Sequence, residues 1–372
     1  MNIVCDKETL LKALSISMNS IQERSTVETL KCYKLEARES EFIITSNNLE
    51  TNMICKIKAN VLMPGTALVN ARTFYSIVSK LAHKEVSMYV SENNTLLIRN
   101  GQATFNIYTM NVLEFPVDMV LESEFREVQV KKVLLKEILQ RVSFATSDDE
   151  EKVILNGVLV DLLGEEGRLR FVAADGYRLV KDEIALEVQE KYHTVIPIKT
   201  IRELLSVISV TSSDFIIMRF SASRVLFVCD EVQLYSRVIN GTFPDYKLLI
   251  PEEGKLQIII NRKSFLEGCE RINIIASKNA FMVKIELIEG FLVISSVTPD
   301  FGDGSEKIAV KTIGDLTIQV VFNVRLMMEA LKNIETENIK IEIINEEKPL
   351  VVKEENNSDY IYIMMPIRMK HE

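Results

Sequence analysis

Residues Val128–Leu139 read VQVKKVLLKEIL: a short alternating strand, a polar break, then apolar residues at helical spacing. Measured from Val128, apolar side chains fall at offsets +2 (Val130), +7 (Leu135) and +11 (Leu139). The same offsets from Ile3 give Cys5, Leu10 and Leu14, and from Ile258 they give Ile260, Phe265 and Cys269. The three starts lie 125 and 130 residues apart. One strand–helix unit therefore occurs three times.

A second stretch repeats in step with the first. VNARTFYSIVSKL begins at Val69, IPIKTIRELLSVI at Ile196 and FNVRLMMEALKNI at Phe322. Offsets +5, +8, +9 and +12 give Phe74, Ile77, Val78 and Leu81 in the first copy. They give Ile201, Leu204, Leu205 and Ile208 in the second, and Met327, Ala330, Leu331 and Ile334 in the third. Each set is an i, i+3, i+4, i+7 stripe, one buried helical face. At +3, ahead of each stripe, stands a cation: Arg72, Lys199, Arg325. One amphipathic helix alone says only core packing; six helices at two fixed offsets in three copies say a repeated domain. The period is far beyond the roughly 20–50 residues of a solenoid repeat.

The chain of 372 residues thus divides into three α+β domains: 1–122, 123–252 and 253–372. Each is long enough to bury its own core. Between the helices the sequence alternates as strands, with turns such as Asn100–Gly101 and Gly164–Gly167, and each copy reads as two helices and six to eight strands. Acidic residues with Pro251 and Gly254 mark the linkers.

Composition is that of a soluble globular protein, 47% hydrophobic and 26% charged. No apolar run reaches the roughly 18–20 residues of a membrane helix, and the N-terminus carries no signal-peptide pattern. Five scattered cysteines without a CxxC fit a reducing cytosol rather than a disulfide framework, which places the protein in the cytoplasm. The net charge of −9 disfavours nucleic acid at first sight. The repeated helical windows are nonetheless net basic, so the strands and loops carry the acidity, as expected if the helices share one basic surface.

Catalytic patterns are missing. There is no GxxxxGK[ST] and no GxGxxG after a strand. His83, His193 and His371 are isolated, with neither metal-ligand spacing nor a cysteine partner. Asp300–Phe301–Gly302 matches the magnesium triplet of kinases but lacks the accompanying catalytic loop and strand lysine. Asp148–Glu151 reads as a solvated acidic loop. No cofactor, metal or catalytic residue is expected.

Three copies of a two-helix, strand-rich domain resemble the bacterial sliding clamp family, the beta subunit of DNA polymerase III. VNARTF (69–74), LNG (155–157), AADGYRL (173–179), INGTFPDY (239–246) and MPIRM (365–369) carry the resemblance, and their order spans the whole chain. It implies two helices on antiparallel sheets per domain and a head-to-tail homodimer closed into a ring around duplex DNA. The ring binds without sequence preference, has no catalytic activity of its own, and tethers the polymerase III catalytic subunit for processive replication. The clamp loader and other proteins with clamp-binding peptides are further partners; a membrane is not. Sliding needs cations toward phosphates and no base readout, which makes Arg24, Arg72, Lys80, Arg141, Lys199, Arg325 and Lys332 the expected DNA contacts. The family's partner-peptide pocket carries over to Leu155, Ala174, Gly176, Tyr177, Arg178, Leu179, Pro244, Leu248, Leu249, Ile363, Met365, Pro366, Ile367, Arg368 and Met369. The ring-closing contact carries over to Phe105 and Ile107 in the first domain and Ile274 and Ile275 in the third. The chain departs from the family pattern at Tyr177, where histidine is common, at Leu248, where arginine occurs, and at Ala174, where threonine is usual. It also continues through Lys370–Glu372.

Two other readings predict different behaviour. An enzyme with an unrecognised site would show a metal-dependent activity on its own. A protein-interaction scaffold of the same fold without a DNA role would show salt-insensitive behaviour.

Overall fold

The computed structural model describes residues 1–372 apart from 118, 188, 189, 252, 253, 255, 315–317 and 369–372. Its α-helices fall where the repeat puts them: α1 Lys7–Ser17, α2 Ala71–Lys80, α3 Lys132–Ser143, α4 Ile198–Val210, α5 Arg262–Ala276 and α6 Val324–Lys332. Three begin at an asparagine whose side chain accepts from the first turn: Asn70 from Thr73 N at 3.0 Å, Asn261 from Ser264 N at 3.0 Å, Asn323 from Arg325 N at 3.0 Å. Such a cap contributes about 1 kcal/mol. The apolar stripes are buried in every copy apart from Ile77 and Leu205, which are half-buried, with Phe74, Ile201 and Met327 leading one set and Leu10, Leu135 and Phe265 the other.

The chain folds as two compact units, residues 1–136 with 199–238 and residues 137–198 with 239–372. The central repeat is thus shared out between them. In the first unit, an eight-stranded antiparallel sheet runs in the order Arg126–Lys131, Phe215–Phe220, Arg224–Cys229, Val232–Arg237, Thr51–Lys58, Glu41–Asn47, Cys32–Arg38, Gly65–Asn70. Its middle seam pairs Val232 with Cys55 and Ser236 with Thr51, fusing strands of the first and second repeats. A five-stranded sheet, Asn60–Met63, Asn2–Asp6, Glu85–Val90, Thr95–Asn100, Ala103–Tyr108, belongs to the first repeat alone. Helices α1 and α2 pack on each other, and α1 also lies on strand Thr51–Lys58.

The second unit repeats this plan. A nine-stranded sheet runs Lys191–Pro197, Gly157–Leu163, Arg168–Ala174, Arg178–Ala185, Asn357–Met364, Leu350–Glu354, Asn338–Ile343, Leu256–Asn261, Lys311–Ile313. Its seam between second and third repeats pairs Arg178 with Met364 and Lys181 with Ile361. A four-stranded sheet, Gly302–Ala309, Phe291–Thr298, Met282–Ile288, Gln319–Asn323, belongs to the third repeat, and α5 packs on it and on α6.

The strand count corrects the expectation of six to eight per copy: the described residues hold nine, eight and nine. The extra strand in the first repeat arises at Ala59, where TNMICKIKANVL changes sheets. Thr51–Lys58 pairs in the eight-stranded sheet and Asn60–Met63 in the five-stranded one. Alternation alone cannot show such a switch, because the period of two continues through it.

Candidate functional site

The +3 cations occupy the same place in each copy: Arg72, Lys199 and Arg325 are each the second residue of their helix and exposed. A cation there opposes the helix dipole, which favours anions at the N-terminus, so its presence three times asks for another reason. Each stands beside a carboxylate: Arg72 with Glu23 at 3.2 Å, Lys199 with Glu50 at 3.0 Å, Arg325 with Glu329 at 3.4 Å. Lys332 meets Glu270 at 3.2 Å. Exposed pairs of this kind are worth about 0–1 kcal/mol, little enough for a phosphate to displace the carboxylate. Arg24 and Lys80 are also exposed.

Arg141 corrects the sequence-based expectation of a DNA contact. Its side chain is only 12% exposed. The guanidinium lies 3.2 Å from Asp182 and 3.0 Å from Glu354, and it covers the Tyr360 ring at 4.4 Å. Burial works against its charge, but the two carboxylates outweigh that and hold Arg141 above its ordinary range. Burial pushes Asp182 up to about 7 in spite of the arginine, and Glu354 adds to the rise. Arg141 ties α3 to the seam strands of the nine-stranded sheet and is not available to a phosphate.

The residues expected to form a peptide pocket lie in the second unit and largely converge. Ala174, Leu179 and Ile363 belong to one buried apolar cluster with Leu159, Val172 and Tyr246, and Leu155 packs against it half-buried. Over the same cluster lies loop 239–250: Phe243 packs on it, Tyr246 is buried in it, and Pro244, Leu248 and Leu249 stay exposed. Gly176 has φ +96, a value that favours glycine, and lets the chain turn at Asp175. The Asp175 carboxylate accepts from Tyr177 N and Arg178 N at 2.8 and 3.0 Å. Tyr177 is thereby held outward, exposed, with Lys152 Nζ 5.5 Å from its ring centre.

Arg178 is buried and fully engaged: with Asp175 at 3.0 Å, Glu329 at 2.6 Å and the Phe144 carbonyl at 3.0 Å. Its role is to hold the 175–178 turn against α6. The C-terminal segment is fastened at two points, Met365 N donating to Tyr177 O at 2.9 Å and Ile367 N to Val321 O at 2.7 Å. Met365 and Arg368 are exposed and Pro366 and Ile367 half-buried; Met369 lies outside the described residues. Sequence reasoning missed Ile154, Phe243 and Tyr246. The signal was present, since both aromatics flank Pro244 in INGTFPDY.

Of the residues expected at a ring-closing contact, two lie on an edge strand and two on a helix beside another edge strand. Phe105 and Ile107 sit on Ala103–Tyr108, which pairs on one side only, with Thr95–Asn100. Phe105 is exposed and shares a cleft with Arg72, Ile77 and Lys80 of α2. Ile274, 70% exposed, and Ile275, half-buried, stand on α5 beside the edge strand Gly302–Ala309.

Nothing in the described residues gathers three or more metal-ligating side chains, and among them no helix is long and apolar enough to cross a membrane. All five cysteines are buried and free, and burial pushes the thiols of Cys5, Cys55 and Cys229 up to about 12, leaving little nucleophilic thiolate.

Comparison with known proteins matches the whole chain. Models of the N-terminal, central and C-terminal domains of the DNA polymerase III beta subunit match residues 1–120, 129–245 and 247–368. A beta sliding clamp of Staphylococcus aureus is 26% identical over 378 residues, covering 99% of each chain. The DNA polymerase III beta subunit of Thermotoga maritima superposes with a TM-score of 0.92 at 29% identity over 99% of each chain. The DNA polymerase sliding clamp of Bacillus subtilis does so with 0.94 at 26% identity over the same coverage.

Proposed function

Because the chain belongs to the DNA polymerase III beta subunit family, we propose that two copies close head to tail into a ring that encircles duplex DNA. It is a DNA sliding clamp acting in DNA replication. The ring works in the cytoplasm without chemistry of its own, holding the polymerase III catalytic subunit on its template and serving the clamp loader and other peptide-bearing partners in turn. The observation that carries this reading is that two of the sheet-edge strands among the described residues, Ala103–Tyr108 in the first repeat and Gly302–Ala309 in the third, hold or adjoin the apolar residues Phe105, Ile107, Ile274 and Ile275. The junctions of the second repeat with the first and with the third are already closed by continuous sheets. A free edge is an aggregation liability unless something covers it. A heterologous contact between first and third repeats covers both of these edges and, when its rotation closes, uses each twice in a two-copy ring.

Five exposed helix cations, Arg72, Lys80, Lys199, Arg325 and Lys332, and Arg24 in the turn that follows α1 are the proposed phosphate contacts. None needs to read a base, so the ring can slide. The apolar cluster under loop 239–250, together with Met365, whose N–H donates to Tyr177 O, and the Pro366–Ile367 segment after it, is the proposed seat for partner peptides. Exposed Leu248, Leu249 and Met365 offer apolar contact that adapts to more than one sequence.

Light scattering tests the ring. The expected mass is that of two 42.4 kDa chains. Ile274→Lys forces a charge into an apolar contact that occurs twice per ring, at a cost of several kcal/mol, so the variant should run as a monomer at micromolar concentration. A variant as dimeric as the parent sinks the assignment.

A further inference from the structure

Asparagine followed by glycine occurs three times, at Asn100–Gly101, Asn156–Gly157 and Asn240–Gly241. Without a Cβ, glycine lets its own amide nitrogen approach the preceding asparagine's side chain, the geometry in which asparagine cyclises and loses ammonia. Whether a given pair can do so depends on how firmly the fold holds it.

Two of the three pairs are held. The Asn100 side chain is buried and makes four hydrogen bonds. It accepts from Ala82 N at 3.1 Å and His83 N at 2.8 Å, and donates to His83 O at 2.8 Å and Glu85 O at 2.7 Å. Gly157 opens a strand, and a Cβ there would meet Ile196 O at 2.5 Å, so its backbone has no room to move. Asn156 O is also engaged, by Ile198 N at 3.0 Å.

The third pair is different. Asn240 and Gly241 are both exposed, in neither helix nor strand. Ile239 N donates to Val195 O at 2.8 Å, and among the described residues the next hydrogen bond along the chain begins at Asp245. Gly241 has φ +137, which side chains rarely adopt, so the turn keeps its glycine. A Cβ there would meet only the tip of Ile154, at 3.3 Å.

We propose that Asn240–Gly241 is a site of spontaneous deamidation. The Gly241 amide nitrogen forms a bond to Cγ of Asn240, the Cγ–Nδ2 bond breaks, and the amide proton leaves with the side-chain nitrogen as ammonia. Water then opens the cyclic imide at either carbonyl, giving aspartate or isoaspartate at 240. Both products add a negative charge, and isoaspartate also lengthens the backbone of the loop that places Phe243 and Tyr246 on the apolar cluster. Weaker partner binding by aged protein follows, a consequence that rests on reading the cluster as the peptide seat; the modification itself does not.

The test is peptide mapping by mass spectrometry, with isoaspartyl methyltransferase labelling, of full-length native protein aged at mildly alkaline pH. The same protein unfolded in urea is the reference. The expected result is conversion at Asn240 alone in the native protein and at all three asparagines in the unfolded chain, with Asn240→Gln abolishing the native signal. An Asn240 that stays intact in the native protein while reacting in urea overturns the proposal, as does equal native conversion at Asn100 and Asn156. Aged protein should bind a clamp-binding peptide several-fold more weakly than fresh protein, and aged Asn240→Gln should not. Converted protein that binds like fresh protein overturns the consequence and leaves the modification standing.

Discussion

Arg141→Met separates an internal tie from a DNA contact. The substitution keeps an apolar stem of similar length and removes the charge. Asp182 and Glu354, 5% and 4% exposed, then lose the cation that stands 3.2 and 3.0 Å away. Removing one partner of a buried ion pair costs about 3–5 kcal/mol, because the remaining charge stays buried. At about 2–4 °C per kcal/mol for a unit of this size, thermal unfolding should drop by roughly 6–20 °C.

The loss should depend on pH in a defined direction. Burial holds Asp182 at about 7, above the range of an unfolded carboxylate. Between that range and 7 the folded protein binds more protons than the unfolded one, so stability falls as pH rises through this window. Without Arg141 only the Glu183 N–H, 2.9 Å from the carboxylate, still offsets the ionised form. The deficit should therefore be larger at about pH 8 than at about pH 5.5, and Asp182→Asn in the Arg141→Met background should recover part of it. Circular dichroism melts at both pH values measure this. Arg72→Met, at an arginine 76% exposed, should change stability by no more than about 0.5 kcal/mol. The reasoning fails if Arg141→Met melts with the parent, or if it lowers the salt dependence of DNA binding as much as Arg72→Met does.

Two further outcomes are expected. Replacing Arg72, Lys199 and Arg325 together by Ala should lower the slope of log K against log salt by roughly 0.9 for each phosphate no longer neutralised, up to about 5.4 for the six positions of a two-copy ring, equally on unrelated duplex sequences; an effect confined to one sequence contradicts sliding. Deleting residues from Met365 onward removes the hydrogen bonds to Tyr177 O and Val321 O and the packing of the half-buried Pro366 and Ile367. Calorimetry should then find a dimer that no longer binds partner peptides, whereas unchanged affinity would sink the pocket and loss of the dimer would make the segment structural.

The repeat was legible because helix faces obey a period that the sequence displays. Phe74, Ile201 and Met327 are all buried where the offsets put them. The sharing of the central repeat between two sheets was not legible, since the seam pairs strands far apart in the chain, such as Val232–Arg237 with Thr51–Lys58, and alternation carries no partner information. The helix cations were readable as a set but not one by one. Arg141 looks like Lys80 in sequence, and only the tertiary placement of Asp182 and Glu354 turns it inward. The pocket was half legible: Leu179 and Ile363 came with the motifs, while Phe243 and Tyr246 were passed over because an aromatic next to a proline reads equally well as a turn or as a wall.

The central claim is topological, that a closed ring surrounds DNA and slides. The direct measurement is retention on DNA after loading by the cognate clamp loader, followed by gel filtration in salt high enough to screen phosphate contacts. The ring should stay with a nicked circular duplex and be lost once that circle is cut to a linear molecule. Retention that is the same on circular and linear DNA, or that disappears from both as salt rises, would mean binding from one side and would contradict the ring.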